Sequence, residues 1–536
     1  MRNHLLYFGS ILFLMSSAAV KAQVTFKDMD VQHYTFNIAL NDDNDNIKGK
    51  AEIVIQFTGN VNEPELNLVK KNSTGKGMLI SSIYEGGKAL NFVQDSDVVH
   101  ILSPAKTNTE HTYTINYAGI PADGLIISTN KHGHRTFFGD NWPNRAHNWL
   151  PCADYPSDKA TVEFIVTAPD HYQVVSNGLK IEEKELSNHL KLTHWKESEP
   201  LAPKLMVIGV AEFAIQQSGT VNGVPVYTYV FPEDKVNGFK NYAYAPDILK
   251  FYDAKIGLYD YEKLANVQSK TIYGGMENAS AIFYYEDSPD AGRAVEELEA
   301  HEIGHQWFGD AVTEKNWKNL WLSEGFATYM TNCYLENKYG IDTLKKREAF
   351  DRNKVIKFES HRYTPVVDTA VKSNYEQLLN ANSYEKGSWT LHMLRRKIGD
   401  EMFWKGLHNY YAEYKNKNAN TADLEQVMEQ ASGQDLHTFF NQWIYNAGYP
   451  ELRIVWSYDA KNKKVGINIT QKQSNLFVFQ LQVSVASKLY TVDVKNKETS
   501  ASFPIAVNHP NSKTIVDPNV ELLAEFDEST IIISTH

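Results

Sequence analysis

Apolar and polar residues alternate in short runs from Thr25 to about Phe213, among them YTFNIAL, AEIVIQF, HTYTINY and ATVEFIV, with Asn, Asp and Gly between the runs. A period of two puts successive side chains on opposite faces of an extended chain, so this stretch predicts a β-rich domain. A polar, glycine-containing break near Gln217 to Gly223 marks the expected end of that domain, over residues 23–216. Beyond it the apolar positions recur at helical spacing in GFKNYAYAPDILKFYDAKIG, AVEELEAHEIGHQWFG, NWKNLWLSEGFATYM, SYEKGSWTLHMLRRKIG and TADLEQVMEQASG. These predict a mainly helical domain over 217–450. After YNAGYP, alternation returns in KVGINITQ, LFVFQLQVSV and KLYTVDV, which predicts a short C-terminal β-sandwich over 451–536. The expected fold class is therefore multidomain α+β, a β-sheet domain followed by a helical domain and a β-sandwich.

The first residues fit neither pattern. MRNHLLYFGSILFLMSSAAVKAQ has Arg2 in a short polar head, an apolar run from Leu5 to Met15, and small residues before Val20-Lys21-Ala22. That order predicts a secretory signal peptide over 1–22, cleaved after Ala22, and delivery to the periplasm or the medium. The run is short for a bilayer span and no later segment matches it, so no membrane span is expected in the mature chain. A chain of 536 residues can bury several cores, and its net charge of −12 comes from interspersed signs with no basic stripe, which argues against a nucleic-acid partner. Cys152 and Cys333 are too few for a disulfide scaffold and are expected to be two packed thiols rather than a bridge.

HEIGHQWFGD carries the chemistry. On a helix, positions four apart lie on one face, so His301 and His305 can offer ring nitrogens to one ion, with Glu302 beside them. Two histidines and a carboxylate form a common zinc set that leaves a fourth position open. Glu324, separated from His305 by eighteen residues and in a second predicted helix, is the candidate third ligand. Histidines packed in a core helix are the alternative reading of HEIGH alone. TIYGGMENASAIFYY reads as an extended edge on which Gly274 and Gly275 leave the backbone open to a peptide added as a further strand. Glu277 beside that edge could bind a free ammonium group, which an enzyme that removes N-terminal residues must recognise and an endopeptidase need not.

Together GGMEN, HEIGH with Glu324, WLSEGFATY and SYEKG resemble the zinc aminopeptidases of the M1 (gluzincin) family, and LPCADYPSDKATVEF, VVSNG and YDYEKL extend the likeness over nearly the whole exported chain. The resemblance implies a thermolysin-like catalytic domain with one zinc ion per chain on His301, His305 and Glu324. It implies Glu302 as general base, Glu277 as the grip on the substrate ammonium, with Gly274, Gly275 and Met276 along the substrate, and Tyr384 as the oxyanion donor. Zinc lowers the pKa of its water to about 7, so a neighbouring glutamate can take the proton and pass it to the leaving amine.

Tyr273 falls where the family borders its first-residue pocket, and YGGMEN is especially similar to the aminopeptidase B and leukotriene A4 hydrolase type. Those relatives carry a long helical C-terminal domain, where this sequence ends at His536 after a short β-rich piece. Many relatives also bring a Gln or Glu from the N-terminal domain to the substrate amine. FFGDNWPNRAHNWLPC has neither, leaving Asn141 or Asp140 as candidates. The expected function is a secreted aminopeptidase acting on peptides with a free N-terminus; a zinc endopeptidase and a non-catalytic peptide-binding module are the alternatives. Neither oligomeric state nor first-residue preference follows from the sequence.

Overall fold

The computed structural model describes residues 26–459, 461–505 and 513–533. The expected signal peptide lies outside the described residues. In the strand Met29–Ala39, Tyr34, Phe36 and Ile38 are buried while His33, Thr35 and Asn37 are half-buried, as alternation requires. This strand sits inside an eight-stranded sheet, antiparallel to Ile47–Phe57 and parallel to Ala160–Pro169, with Phe36 opposite Ala51 and Phe164. A second sheet of four strands includes Arg135–Gly139 and Ile208–Ala211. Two segments next to that sheet, Asp140–Trp142 and the turn Pro203–Leu205, are buried against the next domain.

The central domain opens with a five-stranded sheet made of β1 (Ala214–Val221), β2 (Val224–Val230), β3 (Leu264–Gln268), β4 (Gly275–Met276) and β5 (Ala281–Tyr284), in the order β1-β2-β3-β5-β4. The polar stretch expected to divide the domains is instead part of the β1–β2 hairpin, in which Val221 pairs with Val224. Asn222 and Gly223 both have positive φ, 48° and 91°, as a two-residue hairpin turn needs. The change of sheet therefore falls between Ala211 and Ala214. A turn and a linker share the same polar residues, which is why composition placed the boundary a few residues late.

Four helices matter for the site: α1 (Ala294–His305), α2 (Trp321–Tyr339), α3 (Ile341–Glu359) and α4 (Gly387–Ile398). From Trp321 to Leu335 nearly every side chain of α2 is buried, so this helix is the axis against which the other three pack. The helix Thr421–Ser432 starts on a capping box, Asn420 bonding the backbone of Asp423 and Asp423 returning the bond. The C-terminal residues form sheets of four and three strands, whose inward residues Leu452, Ile454, Leu481 and Val483 share one core. Cys152 and Cys333 are buried and unpaired. Among the described residues no helix is long and apolar enough to cross a membrane.

Candidate metal centre

The last residue of α1 is His305, and the chain leaves it through a wide turn in which the amides of Asp310, Ala311 and Val312 bond the carbonyls of His305, Gln306 and Trp307. Gly309 holds this turn at φ +124°, and a Cβ there would stand 2.3 Å from Ser323 Oγ and 3.1 Å from His305 Nδ1. His305 Nδ1 is 3.2 Å from the Phe308 carbonyl and 3.0 Å from Ser323 Oγ. A carbonyl only accepts, so Nδ1 carries the proton and Nε2 keeps its lone pair. That Nε2 faces His301 Nε2 at 3.1 Å, and Glu324 Oε2 lies 3.3 Å and 3.4 Å from the two nitrogens. Glu324 Oε2 is buried without a hydrogen-bond partner. Three potential ligand atoms thus converge, Nε2 of both histidines and Glu324 Oε2, the arrangement a bound cation satisfies. Burial alone would raise the Glu324 carboxyl; the adjacent imidazoles hold it well below the ordinary range.

A cavity of about 280 Å³ opens beside this triangle and is lined by Tyr273, Gly274, Gly275, Met276, Glu277, Glu302 and Tyr384 among others. The carboxyl oxygens of Glu277 and Glu302 and a ring nitrogen of His305 lie within 4.8 Å of one another. The strand β4 is the outer edge of its sheet, as GGMEN predicted, although only Gly275 and Met276 pair with β5. Gly275 has to lack a side chain, because a Cβ would stand 2.2 Å from Glu302 Oε1. Burial and the charges of Glu277 and Glu324 push the Glu302 carboxyl up, which His305 only partly opposes. A dication among the three ligands acts the other way.

Tyr384 sits in a π-helical turn, Asn382–Lys386, that runs into α4. Its ring lies parallel to that of His301, 6.0 Å away at 9°, and it lines the same cavity as Glu324. Burial and the nearby carboxylates raise the Tyr384 hydroxyl well above its usual range, so it remains a donor.

One expected residue is not at the site. The Asn141 amide is fully buried, giving its NH₂ to the Met206 carbonyl at 2.6 Å and taking the indole N–H of Trp149 at 2.9 Å. It braces its own domain and does not line the cavity. The next residue, Trp142, lines the cavity and meets Tyr273 edge to face at 5.8 Å. Asp140, the other candidate, does not line the cavity either: it accepts from Arg145, Thr271 Oγ1 and the Ile272 amide, and so fixes the approach to GGMEN.

Several residues at the site were missed in the sequence. Gln306 donates to the Glu277 carbonyl at 2.6 Å and to Asp310 at 2.9 Å, tying the GGMEN segment to the end of α1. Lys159 donates to the carbonyls of Asp310 and Ala311, at 2.8 Å and 2.9 Å. Lys204 Nζ stands 2.8 Å from Glu314 and 3.9 Å from Glu277. The signal for Lys204 is present in LAPKLMVIGV, a lone lysine inside an apolar run.

Two family models match the chain: the peptidase M1 N-terminal domain over residues 22–203 and the peptidase family M1 domain over 241–443. The chain belongs to peptidase family M1. Among curated members, it is 26% identical to aminopeptidase 2 of Candida albicans, over 94% of this chain and 55% of that protein. It is 26% identical to a leucyl aminopeptidase of Saccharolobus solfataricus, over 77% and 54%, and 29% identical to a glutamyl aminopeptidase of Bos taurus, over 62% and 36%. This M1 chain thus spans about half the length of the first two. The crystal structure of a mutant M1 zinc metallopeptidase from Deinococcus radiodurans superposes with a TM-score of 0.65 at 22% identity, covering 78% of this chain and 94% of that one. Its fold agrees with the three-part architecture described above.

Proposed function

We propose that this M1 chain is an exported zinc aminopeptidase that removes the first residue from peptides with a free N-terminus. One observation carries the reading: the Glu277 carboxylate is buried beside the metal triangle and, among the described residues, accepts no hydrogen bond, its nearest cation being Lys204 at 3.9 Å. A buried carboxylate with no donor is costly, and a peptide ammonium brings three. The endopeptidase alternative leaves it unexplained. The relatives described above are aminopeptidases by name as well.

The residues fit zinc. Ligands about 2.0–2.1 Å from a tetrahedral centre stand about 3.3 Å apart, close to the 3.1–3.4 Å separations of the three atoms here. When bound, zinc supplies a Lewis acid that polarises a carbonyl and acidifies water. Glu277 holds the ammonium and so sets the first peptide bond over the triangle. Glu302 accepts the proton of the attacking water at a carboxyl oxygen and delivers it to the leaving nitrogen. The Tyr384 hydroxyl donates to the carbonyl oxygen as negative charge develops there.

The test is hydrolysis of matched peptides with free and N-acetylated termini, by zinc-depleted and zinc-restored protein. Zinc is expected to restore cleavage of the free peptides, with acetylated ones at least about 100-fold slower for want of the charge-assisted bonds. Equal rates on both would replace this reading with an endopeptidase; inertness after zinc restoration would reject catalysis.

A further inference from the structure

The turn Pro203–Leu205 of the N-terminal domain places Lys204 near Glu277, which lines the cavity, with the lysine side chain 2% exposed. Its ammonium bonds Glu314 Oε1 at 2.8 Å and lies over the Trp317 ring at 5.5 Å. The Glu277 Oε1 atom is 3.9 Å away, within ion-pair range but beyond a hydrogen bond. Glu314 is fully buried, and its other oxygen has no partner. Lys204 is thus bonded to one carboxylate and drawn by charge to the other.

The geometry therefore points to Lys204 as a positioning residue: tethered by Glu314, it draws the Glu277 carboxylate by charge alone while staying out of the place a peptide's ammonium takes. The inference rests on the aminopeptidase reading, and Glu314 is its switch. With the tether gone, a lysine this close completes the short approach to Glu277 and becomes an internal competitor for the site. The N-terminal domain thereby sets how tightly the catalytic domain holds the amine. An ordinary structural ion pair would contribute to stability and leave this competition absent.

The zinc-reconstituted full chain tests this through KM and kcat on a free-amine dipeptide substrate. Glu314→Gln is expected to raise KM by about 10- to 100-fold, the worth of a charged hydrogen bond, with kcat changed by less than about threefold. Adding Lys204→Met to Glu314→Gln removes the competitor and is expected to recover most of that loss. Binding measured by calorimetry in a Glu302→Gln background, using phenylalaninamide and the amine-free 3-phenylpropionamide, reads the same effect without turnover. Only phenylalaninamide should weaken in the Glu314 variant. A double variant as impaired as Glu314→Gln, or an unchanged KM in the single variant, overturns the competition. Equal affinity for both amides in the Glu302→Gln background itself overturns the Glu277 anchor, and this proposal with it.

Discussion

Glu302 is buried and Tyr384 half-buried at the cavity, and their expected contributions separate cleanly. Glu302→Gln keeps the shape and removes the proton acceptor, so kcat should fall by about 10²- to 10⁴-fold while elemental analysis finds the same zinc content. Tyr384→Phe removes one donor, and a loss of about 10²- to 10³-fold in kcat with little change in KM is expected. A Tyr384 variant whose KM rises while kcat holds would instead place the hydroxyl in ground-state binding. Both positions were readable in the sequence because HEIGH and SYEKG are contiguous. Asn141 was not, because neighbouring residues of an extended segment face opposite ways, and one residue decides whether a side chain braces the domain or lines the cavity.

At the scale of elements, the site depends on how near α2 and α4 approach. Gly325 follows Glu324 on α2, and Gly387 follows the π-helical turn that holds Tyr384; a Cβ on Gly325 would stand 2.9 Å from Gly387 Cα. This backbone contact brings the turn that holds Tyr384 against the helix that carries Glu324. Gly325→Ala forces the helices apart, which should cost about 1–3 kcal/mol of stability and lower kcat by displacing the Tyr384 hydroxyl. Thermal melting and turnover together check it: a destabilised variant with full kcat would show that Tyr384 is located by its own turn and not by the helix pair. Helical periodicity announced α2 and α4 separately, but glycine in a helix reads only as a small penalty until the partner is seen.

For the whole molecule, the first domain braces the second around its cavity, Lys159, Lys204 and Asp140 bonding Asp310, Glu314 and Thr271. The export we propose concerns the whole chain, and it predicts a mature protein in the periplasm or medium whose first residue, by terminal sequencing, is Gln23. Recovery of the uncleaved chain from the cytosol would refute it. The sequence by itself determined what repeats locally: strand alternation, helix faces, the paired histidines one turn apart and the glycine-rich edge, since each is encoded within a few residues by backbone periodicity. Only the tertiary structure decided that Ala214–Val221 joins the catalytic sheet, that Asn141 turns inward, and that Lys204 meets a glutamate 110 residues away. A buried charge is tolerable only with its partner, and no local pattern states which distant residue that partner is.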